Sequence, residues 1–164
     1  MTDHSAASFG AALRQLIDHL DSALEQAYRT GGLEFRPRYT PVVRALMAKG
    51  PQTIRALAQR LGVSHSAASQ TVSQMSKHDL LSISTGTDAR QRIVQLSDKA
   101  VTLLPRLEQH WRAATVATAV LDAETGGNLV TAVNRANAAL AARSFGDRLQ
   151  HLDARVAAPR SGKQ

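Results

Sequence analysis

The segment from Ile54 to Leu96 does most to limit what this chain can fold into. Ile54, Leu57, Ala58 and Leu61 recur at helical spacing, and Thr53 stands where an N-cap belongs. Gly62 then allows the left-handed turn that ends such a helix. Ser64 opens a second helix reaching about Lys77, with Ala68, Val72, Met75 and part of Thr71 as its inward stripe. Ala58 is expected where the two helices cross closely, and Val63 and Ala68 are expected to fill the small core between them. Two extended runs follow, Leu81 to Thr85 and Ile93 to Leu96, joined by the polar turn Gly86-Thr87-Asp88-Ala89-Arg90. Helix, tight turn, helix and hairpin in that order predict a winged helix-turn-helix.

The flanks read as helices. Over residues 8–29, Phe9, Leu13, Leu16, Ile17, Leu20, Leu24, Ala27 and Tyr28 form an amphipathic stripe that stops at Gly31-Gly32. A helix from Pro41 to Ala48 is expected to bury Val42, Val43, Leu46 and Met47. Ser97 caps a long helix through Val101, Leu104, Leu107 and Trp111 to Leu121, and Pro105 should loosen it locally. Asp122 is expected to cap a further helix with Leu129, Val133, Ala136 and Leu140 on one face. Phe145 to Val156 closes the pattern. The predicted fold is all-α with a small β-hairpin wing, divided into an N-terminal dimerisation helix (8–35), a winged helix-turn-helix (36–96), C-terminal dimerisation helices (97–156) and a disordered tail (157–164).

Charge is localised. Residues 36–92 hold nine Lys and Arg against Asp79 and Asp88, so this segment carries the entire net charge of +7. A scattered solvated surface does not partition this way, whereas a polyanion-binding module does. The exposed face expected for the second helix sharpens this. Ser64, His65, Ser66, Ser69, Gln70, Ser73 and Gln74 are short hydrogen-bonding side chains with no carboxylate among them. An ordinary solvated face mixes Glu with Lys. One that approaches phosphates and base edges must exclude acids, and its Gln and Ser groups can read bases. Arg90 and Arg92 on the hairpin suit the narrow, negative minor groove. Arg36, Arg38 and Arg55 are the remaining candidate phosphate contacts.

Other chemistries find little support. The chain has no cysteine, which removes disulfides and thiolate catalysis. Its six histidines are scattered without the spacing of a metal site, and neither a nucleophile elbow nor a glycine-rich phosphate loop is present. No enzyme activity, cofactor or metal is expected. The apolar stretch Ala113 to Leu121 falls well short of the roughly 20 residues of a membrane span. A cytoplasmic location with no membrane partner is the expectation.

The ordered set Leu57-Ala58, Leu61-Gly62-Val63-Ser64, Ser69-Gln70-Thr71-Val72, Met75, Leu80-Leu81, Asp88-Ala89-Arg90 and Leu96-Ser97-Asp98-Lys99 resembles the MarR family of winged-helix repressors. The similarity of layout extends over about residues 8–143. The family usually has arginine where this chain has Gln70 and glycine where it has Asp79. It also places a basic residue on the strand that here reads Ser82-Ile83-Ser84. The resemblance implies a homodimer on a pseudo-palindromic double-stranded DNA operator. It also implies a repressor released by a small-molecule effector in a cleft between the dimerisation helices and the winged module, for which Tyr39, His110 and Trp111 are the candidate lining. Two alternatives stay open: an effector-independent or architectural DNA-binding protein, and a winged-helix protein-interaction module that binds no DNA.

Overall fold

Helix ends organise this chain. The computed structural model describes residues 5–85 and 91–156; the expected turn Gly86 to Arg90 and the tail 157–164 lie outside them. Helix α1 (Ser5–Thr30) closes with Leu33 N–H donating to the Tyr28 carbonyl and Gly32 N–H to that of Arg29. After a 3-10 turn (Pro37–Tyr39) come α2 (Thr40–Lys49), the two-residue strand β1 (Gln52–Thr53) and α3 (Ile54–Leu61). At the end of α3, Val63 N–H donates to Ala58 and Gly62 N–H to Gln59. This paired closure puts Gly62 at φ 65°, as the sequence required.

Helix α4 (His65–Lys77) begins at Ser64, whose Oγ accepts from Ala67 N–H at 3.1 Å. It ends as α3 does, with Leu80 N–H on the Met75 carbonyl and Asp79 N–H on that of Ser76. The left-handed residue here is Asp79, at φ 57°, the only described non-glycine residue with positive φ. Replacing Asp79 with glycine removes a Cβ from a conformation it disfavours, against a smaller entropic loss in the unfolded chain. Asp79→Gly should therefore gain about 0.5–1 kcal/mol, raising the melting temperature by roughly 1–4 °C. An unchanged or lower melting temperature would show that this helix end is not strained.

Strands β2 (Leu81–Thr85) and β3 (Arg92–Leu96) pair antiparallel, with Thr85 opposite Arg92 and Leu81 opposite Leu96. The sequence indicated only this hairpin, but β1 pairs with the other edge of β3 (Gln52 opposite Val94), giving the order β1-β3-β2. Two residues are too few for an alternating pattern to register, which is why β1 escapes a sequence reading. The architecture is mostly helical with a small antiparallel wing.

The chain divides into two compact units, Met1–Ala114 and Thr115–Gln164, and the boundary falls inside α5 (Asp98–Glu124). The first unit holds the buried core. Tyr28, Leu57, Met75, Leu80, Val94 and Leu107 are each at most 1% exposed. Ala58 and Ala68 are buried where α3 packs on α4. Two expectations fail here. Val63 is 44% exposed, because it follows the left-handed Gly62 and belongs to neither helix. Met47 is 41% exposed, lying about 100° round α2 from its buried neighbour Leu46.

In the second unit α5 runs on to Glu124 and α6 spans Leu129–Ala142. Asp122 is thus not the N-cap residue, which is Asn128. It serves the same helix from across the turn, with Oδ1 accepting from Val130 N–H at 2.9 Å. Helix α7 (Phe145–Val156) opens with a reciprocal cap in which Ser144 Oγ accepts from Asp147 N–H and Asp147 Oδ2 from Ser144 N–H. No residue of α6 is buried. Among the described residues no helix is long and apolar enough to cross a membrane, and no cluster of three or more acidic or histidine side chains could hold a metal ion.

Candidate nucleic-acid interface

Burying Ala68, Val72 and Met75 turns the opposite side of α4 outward. His65, Ser66, Gln70 and Ser73 are exposed on it, while Ser69 and Gln74 are half-buried. Ser64 is exposed at the helix start with its hydroxyl oxygen already accepting the cap bond, so further contacts fall to its hydroxyl proton and remaining lone pair. α4 itself carries no acid, and Asp79, just beyond its end, is the only acid among described residues 36–92. A phosphate approaching this face meets side-chain hydroxyls and, at the first turn only, helix N–H groups, without an opposing carboxylate.

Ser69 and Ser73 have a second role that the sequence did not reveal. Together with Ser76, Lys77, Ile54 and Ile83 they line a groove of about 380 Å³ between α4 and β2. Lys77 lies one helical turn beyond Ser73, and that i, i+4 spacing was the available signal that its ammonium shares the groove. On the wing Arg92 is exposed opposite Thr85, whereas Arg90 falls outside the described residues.

The remaining arginines differ in their engagements. Arg55 is exposed on α3. Arg38 holds its guanidinium 5.6 Å from the centre of the Tyr39 ring. Arg36 precedes the 3-10 turn and lines a recess at the end of α1. Arg44, which the sequence did not single out, sits 4.8 Å above the Trp111 ring, and Arg60 donates to Gln52 Oε1. Both are exposed and keep donors free for an anion.

Tyr39, His110 and Trp111 come together on one aromatic cluster. Trp111 Nε1 donates to the Tyr28 hydroxyl at 3.2 Å, and His110 meets the Tyr28 ring edge-on at 5.4 Å. Tyr28 in turn contacts Phe35 at 5.4 Å and Phe35 contacts Tyr39 at 5.7 Å, both edge-on. His78, the residue that ends α4, lies 6.3 Å from Tyr39. Of the three candidates, Tyr39 also lines the recess that Arg36 borders, together with Arg29 and His78.

Residues 32–91, which span this module up to the wing, match the model of the MarR family. The winged module is of the MarR family. No curated protein matches the chain. Among solved structures, the PcaV transcriptional regulator from Streptomyces coelicolor in complex with its natural ligand superposes with a TM-score of 0.64. It is 19% identical, and the match covers 84% of this chain and 94% of that one. The transcriptional regulator MOSR of M. tuberculosis in complex with DNA gives 0.62 at 24% identity, covering 86% and 99%. The organohalide-sensing transcriptional regulator RdhR, bound to 2,4-dichlorophenol, gives 0.66 at 18% identity and covers 82% of each chain. These likenesses establish a shared fold that reaches beyond the segment matched by the family model.

Proposed function

We propose that this MarR-family chain is a homodimeric, sequence-specific DNA-binding transcriptional regulator, a repressor released by a small-molecule effector. The observation that carries the reading is the acid-free exposed face of α4, set in the segment that holds the whole net charge of +7. Ser64, His65, Ser66, Ser69, Gln70, Ser73 and Gln74 would face the major groove. Arg90 and Arg92 would reach from the wing, and Arg36, Arg38 and Arg55 would hold phosphates. That MOSR was solved on DNA, and PcaV and RdhR with small ligands, supports both halves of the reading. The aromatic cluster of Tyr39, His110 and Trp111 is the proposed neighbourhood of the effector. Nothing in this role asks for catalysis or a cofactor, and it belongs in the cytoplasm.

A second copy of the chain is the proposed cover for two apolar faces. On α1, Phe9 is 65% and Ile17 54% exposed. Helix α6 buries nothing, and Val130, Val133 and Leu140 lie open on it. Short helices without a packed face are marginal in water, and open apolar stripes of this extent mark association surfaces. Light scattering at micromolar concentration should give twice the mass of one chain; a clean monomer would remove the two-half-site arrangement. Selection of bound sequences from a random duplex pool tests the function directly. A two-fold symmetric motif is expected, and failure to enrich any sequence would favour the architectural or protein-interaction alternatives.

A further inference from the structure

We propose that Lys99, although it stands on α5, is a positioning residue for α4, fixing the pose of that helix by holding the carbonyl at its end. Its effect on DNA reading rests on the regulator role proposed above; the hold on the helix end does not. The local closure of α4 uses the carbonyls of Met75 and Ser76, and those of the next residues, His78, Asp79 and Leu80, are taken by the start of α5. The Leu80 carbonyl accepts from Ser97 N–H at 3.1 Å, that of Asp79 from Ser97 Oγ at 2.5 Å, and that of His78 from Lys99 Nζ at 2.9 Å. Three consecutive carbonyls at the end of one helix are thus clasped by the first residues of another.

The three bonds are not equivalent. Ser97 also serves α5, because its Oγ accepts from Ala100 N–H at 3.1 Å, and that cap is needed whatever α4 does. Lys99 gives α5 no such help. A cation in a first helical turn opposes the dipole of its own helix, where the neighbouring Asp98 is the favourable charge. Its ammonium suits the other helix instead, since it meets the negative end of α4, and a charged donor on a carbonyl is stronger than a neutral one. Glu34 also approaches this ammonium, but at 3.9 Å and with its side chain 83% exposed the pair is largely screened. The His78 carbonyl is therefore the contact that decides where Lys99 lies.

The hold matters because of how the chain leaves α4. It turns at the left-handed Asp79, a conformation that a side chain disfavours, and enters β2 two residues later. Such an end keeps one exit direction only as firmly as its contacts hold it. The Ser64 cap fixes the start of α4 and Lys99 its end, and Gln70 and Ser73 are presented between the two. Base-edge contacts need a closely set helix, whereas phosphate contacts by long cations carry no sequence information and tolerate a shift. Loosening the end of α4 should cost discrimination before it costs general affinity.

The test compares the full-length wild type with Lys99→Met, which keeps the stem and removes the charge, and with Lys99→Arg, which restores a cationic donor. Without DNA, the amides of His78, Asp79 and Leu80 should exchange with deuterium at least about fivefold faster in Lys99→Met, those of α3 should be unchanged, and Lys99→Arg should lie near wild type. With DNA, Lys99→Met should bind the selected duplex about three- to tenfold more weakly and scrambled duplex nearly as wild type does, at an unaltered salt slope. Glu34→Gln should change neither readout. A residue that only stabilises the fold would lower the melting temperature and speed exchange throughout the core. A direct phosphate contact would weaken both duplexes and reduce the slope by about 0.9 for each phosphate lost. Either result overturns the proposal, as does exchange at residues 78–80 that Lys99→Met leaves unchanged. If wild type binds no duplex at all, the regulator role fails, and the exchange comparison still decides whether Lys99 holds α4.

Discussion

Raising the salt from about 50 to about 200 mM should lower the affinity of this protein for duplex DNA by roughly 10³- to 10⁴-fold. The expectation comes from where the charge sits. Residues 36–92 carry the whole net charge, and Arg36, Arg38, Arg55 and Arg92 are exposed in the described part of it. If three or four such groups in each protomer touch phosphate, a dimer neutralises about six to eight phosphates. Each displaces condensed counterions, so log K should fall against log salt with a slope of roughly −5 to −7. Arg44, over the Trp111 ring, and Arg60, on Gln52 Oε1, are exposed as well, and each phosphate that either reaches would steepen the slope by about 0.9. Binding measured at several salt concentrations gives the slope. A value near zero would mean the positive segment is not a DNA surface, whatever the fold. A value of half the expected size would point to one protomer on the duplex, and with it to a failure of the dimer.

What could be read from the sequence here was local chemistry. Thr53, Gly62, Ser64 and Ser97 each mark a helix boundary through a side chain or a backbone freedom acting within three or four residues. Three of them cap as expected by accepting from the N–H three residues on. Gly62 takes the left-handed conformation its position required. The misses share a cause. Val63 and Met47 are apolar, yet their exposure depends on how a helix end turns and how far round the axis one residue falls. Composition cannot settle either. Strand β1 exists only because β3 passes beside Gln52 and Thr53, a pairing some forty residues distant in the chain.

The interface divides along the same line. That α4 is free of acids, and that Gln70 and Ser73 face outward on it, follows from counting around a helix. That Ser69 and Ser73 also share a groove with Lys77 and Ile83 required knowing where β2 lies. The Tyr39 hydroxyl, which has no hydrogen-bond partner among the described residues, is the extreme case. Nothing in one sequence distinguishes a buried tyrosine with a partner from one without. The aromatic candidates follow from the cleft that the family resemblance implies, and their joining through Tyr28 and Phe35 is a property of the packed core.

Reading and positioning should separate at Gln70 and Arg92. Gln70 is exposed near the middle of α4, where a side chain reaches base edges in the major groove, and its amide can bond a base in two places. Gln70→Ala should lose discrimination at particular operator positions, about 1–3 kcal/mol for a good bidentate contact, and leave affinity for scrambled duplex nearly unchanged. Gln70→Glu keeps the shape and adds a charge. It should weaken both duplexes, because it puts a carboxylate on the face proposed to meet DNA. Arg92 is exposed on β3, and on the proposed docking it would meet the backbone or minor groove rather than base edges in the major groove. Arg92→Ala should therefore weaken all duplexes alike and reduce the salt slope by about one for each phosphate that the shortened side chain no longer reaches. Both side chains are exposed, so dimer mass and melting temperature should hold in all three variants and serve as the control for folding. The measurement is a matched titration of wild type and the three variants against selected and scrambled duplexes at two salt concentrations. Should Gln70→Ala lower both affinities equally, Gln70 positions the helix and reads nothing. Should Gln70→Glu bind as wild type does, α4 does not face DNA, and the acid-free surface must serve another partner.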